Sequence, residues 1–295
     1  MTHIRKAVFP IAGMGTRFLP ATKSVPKEML PLVDKPLIQY ALDEAREAGI
    51  EEFIFVTAAG KGALEDYFDT ARALEQQLRD NGKTSALETL EQTNLPEGSL
   101  SFVRQKHPRG LGHAVSLARR LVGDEPFAVL LPDDVISAPK GALSQLVDAH
   151  AQTGGHMVAT MRVAPDQTGS YGVIDPETSV GRVIRARGMV EKPRPEKAPS
   201  TQAVVGRYIL EPSIFDRLAQ ISPGAGGELQ LTDAICADIG ATQVAGYQFE
   251  GERFDCGSVQ GFVQATAAFA LARTDLNLEL TEFLSGRMKP RPLAA

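Results

Sequence analysis

The first residues that could do chemistry lie close to the start: Ala12-Gly-Met-Gly15-Thr16-Arg17, followed by Lys23 and Lys27. Gly13 and Gly15 allow a tight turn that exposes backbone N–H groups, and the cations behind it add positive charge. Bare amides beside fixed cations suit the phosphates of a nucleoside triphosphate. Two familiar phosphate loops are excluded. A dinucleotide fingerprint G-x-G-x-x-G needs glycine where Phe18 stands, and G-x-x-x-x-G-K-[ST] does not occur. Glycine spacing alone also fits an ordinary strand-to-helix connection. The crowding of Arg17, Pro20, Lys23, Pro26 and Lys27 behind the turn favours a site.

A second candidate is Asp133-Asp134, which closes the apolar run Phe127-Ala-Val-Leu-Leu. Open α/β sheets place ligands at the C-terminal ends of such strands, and carboxylate oxygens are hard ligands suited to Mg²⁺. A solvated loop or a helix cap fits the same pair. Gln105 precedes a second glycine turn, Gly110 and Gly112. Its amide carries an acceptor and donors that match the O4/N3–H edge of uracil, though a solvated side chain on a plain loop fits equally. His113 reads as a helix residue rather than an acid or base. Glu191-Lys192 before a proline reads, on its own, as an exposed ion pair. Asp255 stands beside Gly257, and Cys256 reads as a packed thiol with no base near it in sequence.

The elements that must position these groups alternate at first. Ala7–Ala12 reads as a buried strand. The segment 36–48 reads as a helix, with Pro36 at its first position and Gly49 stopping it. Phe53–Ala58 is a strand buried on both faces. This β-α-β order predicts a parallel sheet with helices on both sides. Lys61 to about Leu95 is charged, with Asn81-Gly82 between two helical stretches, and reads as an exposed helical hairpin. Leu100–Arg104 is a strand, and Gly110 opens a helix through Leu121. After Gly155 the pattern changes to strands with few helices, at 156–163, 171–174, 181–185 and 203–210, which implies a mixed or antiparallel extension. From Val259 the chain reads as helical. The stripe of Phe262, Ala265, Phe269, Leu276, Leu280 and Phe283 fits packing on its own domain or an oligomer interface. Only Pro290–Ala295 looks frayed.

Composition bounds the function classes. The 295 residues can bury a substantial core, and 43% hydrophobic with 23% charged residues is ordinary for a soluble globular protein. A formal net charge of -5 argues against a general polyanion binder but leaves room for a local basic pocket. No apolar run approaches the ~20 residues of a membrane span, and the start leads into a strand with no apolar leader. Two cysteines are too few for a disulfide framework or a zinc site. The expectation is a cytoplasmic protein with free thiols.

Ala12-Gly-Met-Gly-Thr-Arg-Phe-Leu-Pro and Pro26-Lys-Glu-Met-Leu-Pro together resemble the signature of the sugar-nucleotide pyrophosphorylase family. The helical insertion after Lys61 is similar to that of its uridylyltransferase branch. The resemblance implies an α/β fold: a Rossmann-like mixed, mostly parallel sheet flanked by helices, the nucleotidyltransferase type A fold, with a C-terminal helical extension. Residues 1–257 would be catalytic, with 1–154 mainly on the nucleotide side and 155–257 mainly on the sugar side; 258–295 would be the extension. The implied reaction is Mg²⁺-dependent uridylyl transfer from UTP to glucose 1-phosphate. Ala12, Gly13, Gly15, Thr16, Arg17, Lys27, Gln105 and Gly110 would bind nucleotide. Gly172, Glu191, Lys192, Gly206 and Glu228 would bind the sugar phosphate. Arg17, Lys27 and Lys192 would be catalytic. Asp133 and Asp255 would hold the metal, with no direct role for Asp134. A homodimer or homotetramer is the implied assembly, with no nucleic acid and no membrane as partner. The alternatives are the same chemistry with dTTP or another sugar 1-phosphate, and a nucleotide sensor without turnover. The paired aspartates argue against the sensor.

Overall fold

A computed structural model describes residues 3–288; the frayed end expected over Pro290–Ala295 lies outside them. Strand β1 (Lys6–Pro10) is followed by three single 3-10 turns and a small ribbon, β2 (Pro31–Leu32) with β3 (Lys35–Pro36). Helix α1 (Leu37–Glu47), β4 (Glu52–Thr57), α2 (Gly62–Tyr67), α3 (Arg72–Asp80), α4 (Thr84–Glu91) and β5 (Leu100–Arg104) come next. Then come α5 (Leu111–Ser116), α6 (Arg119–Val122), β6 (Phe127–Leu130), β7 (Asp134–Ser137) and α7 (Ala142–Thr153). The second half holds β8 (His156–Arg162), β9 (Gly172–Val180), β10 (Val183–Glu191), β11 (Gln202–Leu210), α8 (Ile214–Gln220) and α9 (Leu231–Asp238). It closes with β12 (Val244–Gln248), β13 (Glu252–Asp255), α10 (Val259–Ala272) and α11 (Asn277–Met288). The helix expected from Gly110 to Leu121 is two short ones, broken at Leu117-Ala118. Pro36 takes the cap position, one residue before the helix starts.

One sheet of nine strands runs β5-β4-β1-β6-β11-β8-β12-β10-β9. The pairs among β5, β4, β1 and β6 are parallel, as is β8 with β12. The pairs of β11 with β6 and β8, and of β10 with β12 and β9, are antiparallel. The expectation of a mostly parallel sheet is therefore corrected: with the further antiparallel pairing of β11 and β9, antiparallel pairs outnumber parallel ones. The reason is visible in β11, every residue of which is buried. A strand covered on both faces is apolar throughout whichever way its neighbours run.

Side chains alternate across the sheet with the period of two that strands impose. Phe9, Phe53, Phe55 and Leu130 pack under α1 and α7, with Ile38, Leu42, Leu143 and Leu146. Val8, Ile54, Phe127 and Val129 face the other way, towards Val115, Val122, Phe215 and Leu218. Each such side chain, fully buried, stabilises the fold by about 1.5–3 kcal/mol. In α1 the buried residues Leu37, Ile38, Ala41, Leu42 and Ala45 make one helical stripe, and Gly49, at φ 85°, turns the chain out of it. Helices α3 and α4 bury nothing, as an exposed hairpin should. The beginning of that insertion differs: Leu64 and Lys61 are buried. Helix α10 docks Phe262, Ala265 and Phe269 against a small third core of Leu32, Leu37, Val135 and Phe254. Among the described residues no helix is long and apolar enough to cross a membrane.

Candidate active site

The turn after β1 is shaped by Gly15, whose φ of 65° belongs to the left-handed region that an L side chain enters only at a cost. Its carbonyl accepts from Thr22 Oγ1 at 2.7 Å, which ties the loop to the segment behind it. The Lys27 side chain runs along the same loop: a Cβ placed on Gly15 would meet Lys27 Cβ at 3.1 Å, and one on Gly13 would meet Lys27 Cε at 3.6 Å. Gly15, Thr16, Arg17, Lys27 and Gly257 line a cavity of about 260 Å³ here. Arg17 donates to the Gly257 carbonyl at 3.3 Å.

Lys27 Nζ pairs with Asp133. Burial by itself presses the Lys27 ammonium towards neutrality, but Asp133, with Glu28 behind it, more than reverses this and its pKa is raised. Burial likewise opposes the Asp133 carboxylate, and Lys27 overcomes it, so that pKa is lowered. Asp255 arrives on β13, which pairs antiparallel with β7 and sets Asp255 opposite Asp134. The backbone of Gly257 measures the approach of the two acids. A Cβ there would lie 2.9 Å from Asp133 Oδ2 and 3.1 Å from Asp255 Oδ1, so both oxygens converge on one point.

Asp134 borders the second cavity described below, and both its oxygens are taken by protein donors. Its Oδ2 accepts from the Gly206 amide at 2.7 Å, and its Oδ1 accepts from Arg253 Nε at 2.6 Å. Arg253 also donates to Tyr171 Oη at 3.1 Å and stands 3.7 Å from Asp255. Beneath them Arg207, 1% exposed, forks onto Glu44 of α1 and donates to the carbonyls of Leu131 and Asp134. A fully buried cation so satisfied fixes the strand end that carries Asp133. Cys256 has its thiol pKa pushed up to about 12 by burial and then by Asp255 and Asp133, so it is no nucleophile.

The sugar-side residues gather around a second cavity, about 420 Å³, lined by Arg17, Gly172, Glu191, Lys192, Gly206 and Asp255. Arg17 borders both cavities. Glu191 Oε2 accepts from Thr232 Oγ1 at 2.7 Å. Lys192 Nζ is 3.4 Å from Glu191 Oε1, and Lys192 adopts φ 46°, a strained value for a residue with a side chain.

Of the sequence candidates, Ala12, Gly13, Asp133, Gln105, Gly110 and Glu228 line neither cavity. Gln105 is buried, with Nε2 2.8 Å from His113 Nδ1 and donating to the Gly110 carbonyl at 3.4 Å. Neither it nor Gly110 lines the two cavities, although Leu111 does. Glu228 is exposed and packs its Cβ beside Gly110, while Gln230 and Thr232 line the larger of the two cavities. Arg253, Thr232, Arg207 and Glu28 are the residues that sequence reasoning left without roles. Only Arg253, two positions before Asp255 on the same short strand, carried a signal. A roomier cleft of about 550 Å³ between α1 and the α3–α4 hairpin, edged by Leu74, Leu78 and Leu90, holds none of these groups.

Among the described residues no cluster of three or more acidic, histidine or cysteine side chains could cage a metal. Two converging carboxylates fit the needs of Mg²⁺, which keeps several waters and relies on substrate phosphates for its remaining ligands.

The nucleotidyl transferase family profile matches residues 6–271. A UTP–glucose-1-phosphate uridylyltransferase of Komagataeibacter xylinus is 52% identical over 255 residues, covering 86% of this chain and 90% of that one. One of Bacillus subtilis is 48% identical over 287 residues, covering 97% and 98%. The structure of a UTP-bound UGPase from Acinetobacter baumannii superposes with a TM-score of 0.88 at 40% identity, covering 96% of this chain and 99% of that one.

Proposed function

This chain belongs to the nucleotidyl transferase family, and we propose how its residues carry the transfer of a uridylyl group from UTP to glucose 1-phosphate. The products are UDP-glucose and pyrophosphate. A phosphate oxygen of glucose 1-phosphate attacks the α-phosphorus of UTP, and the bond from that phosphorus to the bridging oxygen breaks. The nucleophile is already ionised near neutral pH, so no side chain need remove a proton. What the protein must supply is alignment and charge neutralisation.

Arg17 and Lys27 hold the α-phosphate and the departing pyrophosphate against the glycine loop. Lys192 places the attacking phosphate in line, and Glu191, held by Thr232, accepts hydrogen bonds from sugar hydroxyls. Gly172 and Gly206 let backbone approach the sugar. Ala12, Gly13, Thr16, Gln105 and Gly110 complete the nucleotide side, with the Gln105 amide on the uracil edge; Glu228 closes the base-side turn. Asp133 and Asp255 would hold Mg²⁺, which when bound supplies charge neutralisation of the nucleotide phosphates.

The observation that supports this reading best is the approach of Asp133 and Asp255 to the same backbone point at Gly257, next to Arg17, which borders both cavities. A pyrophosphate-release screen with UTP, dTTP, CTP and GTP against several sugar 1-phosphates tests it. UTP with glucose 1-phosphate should be fastest; faster turnover with dTTP would overturn the nucleotide assignment.

The catalytic part is assigned to residues 1–257 and the extension to 258–295. Val259 and Val263 on α10, with Leu278 and Phe283 on α11, are exposed and fit a homodimer or homotetramer contact. Light scattering would show it. Two free thiols suit a reducing cytoplasm.

A further inference from the structure

Under the nucleotide loop lies a second ion pair to which the transfer reaction gives no role. Glu28 is 1% exposed, and its Oε2 accepts from Lys61 Nζ at 2.7 Å; Lys61 is itself 7% exposed. The other oxygen, Glu28 Oε1, is buried without a hydrogen-bond partner. Glu28 shares its single turn, Lys27–Met29, with Lys27, whose Nζ is held by Asp133. Lys61 comes from a separate element, the cap of α2. Four charges thus alternate across the floor of the site: Lys61, Glu28, Lys27, Asp133.

Glu28 acts on both lysines. It shares a turn with Lys27 and holds the Lys61 ammonium at 2.7 Å. A buried carboxylate deprived of its cation must find another or take up a proton, since an isolated charge in this setting is costly. The next cation in the same turn is Lys27, and Oε1 has no hydrogen-bond partner of its own.

We propose that Lys61 is a positioning residue for the transfer: by occupying Glu28 it keeps that carboxylate from capturing Lys27. The Lys27 ammonium is then left at the glycine loop, for Asp133 and for arriving phosphates. The inference rests on the reading of Lys27 as a phosphate contact. It assigns the start of the helical insertion a part in catalysis, although Lys61 lines neither cavity.

The test measures kcat, both KM values and thermal melting for Lys61→Met, Lys61→Arg and Lys61→Met/Glu28→Gln, and for Lys27→Met with and without Lys61→Met. Lys61→Met should lower kcat roughly 10- to 100-fold, the scale of a misplaced catalytic group, with KM for glucose 1-phosphate changed less than about twofold. Lys61→Arg keeps a cation on Glu28 and should keep most of the turnover. The neutral double variant leaves no unpaired buried charge, so it folds even where Lys61→Met does not, and it should regain most of the lost kcat. In the Lys27→Met protein, adding Lys61→Met should lower the melting temperature further without lowering kcat further. Wild-type kcat in Lys61→Met, a neutral double as slow as the single, or a multiplicative loss on Lys27→Met would each overturn the inference and leave the reading of Lys27 standing. Full turnover in Lys27→Met alone would overturn both.

Discussion

Replacing Gly172 with alanine should separate the sugar side of the site from the nucleotide side. No positive φ bars alanine at this position, so the effect comes from contact alone. The added Cβ would lie 2.9 Å from Thr232 Oγ1, 3.2 Å from Glu191 Oε2 and 3.3 Å from Thr232 Cγ2. All three neighbours belong to the hydrogen-bonded pair that sets the Glu191 carboxylate. Thr232 is buried and cannot simply swing out, so the bond to Glu191 lengthens or breaks. A hydrogen bond to a charged group is worth about 1.5–3 kcal/mol, which converts to roughly 10- to 150-fold in kcat/KM for glucose 1-phosphate. Thr232→Ala removes the same bond without a clash and should show a similar loss, and the double variant should be little worse than either single. Pyrophosphate release at saturating UTP gives the kinetics, and calorimetry gives UTP binding. If Gly172→Ala keeps wild-type kcat/KM, or if UTP affinity falls while glucose 1-phosphate saturates normally, Gly172 and Glu191 do not serve the sugar.

Asp133→Asn and Asp255→Asn should each stay folded, lose most turnover and need more Mg²⁺, and the double should lose much less than the product of the singles because both act on one ion. Fully multiplicative losses in kcat against Mg²⁺ would refute a shared metal. Lys192→Ala should weaken use of glucose 1-phosphate by about 1.5–3 kcal/mol and leave UTP binding nearly unchanged. Because Lys192 sits at φ 46°, Lys192→Gly should melt higher than Lys192→Ala, by about 1 kcal/mol of stability. Asp238→Asn tests a buried network far from the chemistry. Burial opposes the Asp238 charge, but hydrogen bonds from Ser213, Arg217 and His156 at 2.6, 2.7 and 2.9 Å outweigh it and hold its pKa below the ordinary range. A carboxylate with a lowered folded pKa stabilises the protein above its unfolded pKa, and this is lost as pH falls. The variant should therefore melt well below wild type at pH 7, by on the order of 3 kcal/mol, with the gap closing below about pH 4. A gap that persists in acid would assign the effect to packing.

What could be seen in the sequence was whatever is local. The strand before Gly13, the cations behind it, and Asp133 at the end of an apolar run each declare themselves within a few residues. The hairpin at Asn81-Gly82 and the strand Leu100–Arg104 do so too. What could not be seen depends on partners distant in the chain. Glu28 stood within the motif Pro26-Lys-Glu-Met-Leu-Pro, but its burial against Lys61 needs the sheet to bring the two elements together. Arg207 lies inside an apolar strand, and only Glu44, 163 residues away, explains how a charge survives there. The same reasoning covers the sheet: consecutive apolar residues report burial on two faces and are silent about strand direction.

The pairing of β13 with β7 also bears on how the enzyme comes into being. β13 is made long after β7, so a protein emerging from the ribosome carries Asp133 well before Asp255 exists. Until then Lys27 is the available partner for Asp133, and Asp134 lacks the guanidinium of Arg253. A fragment released before β13 therefore has the glycine loop and one carboxylate, but neither the second carboxylate nor the arginine that braces the first pair. Under the proposed sharing of one metal by Asp133 and Asp255, a product that ends before β13 should release no pyrophosphate from UTP.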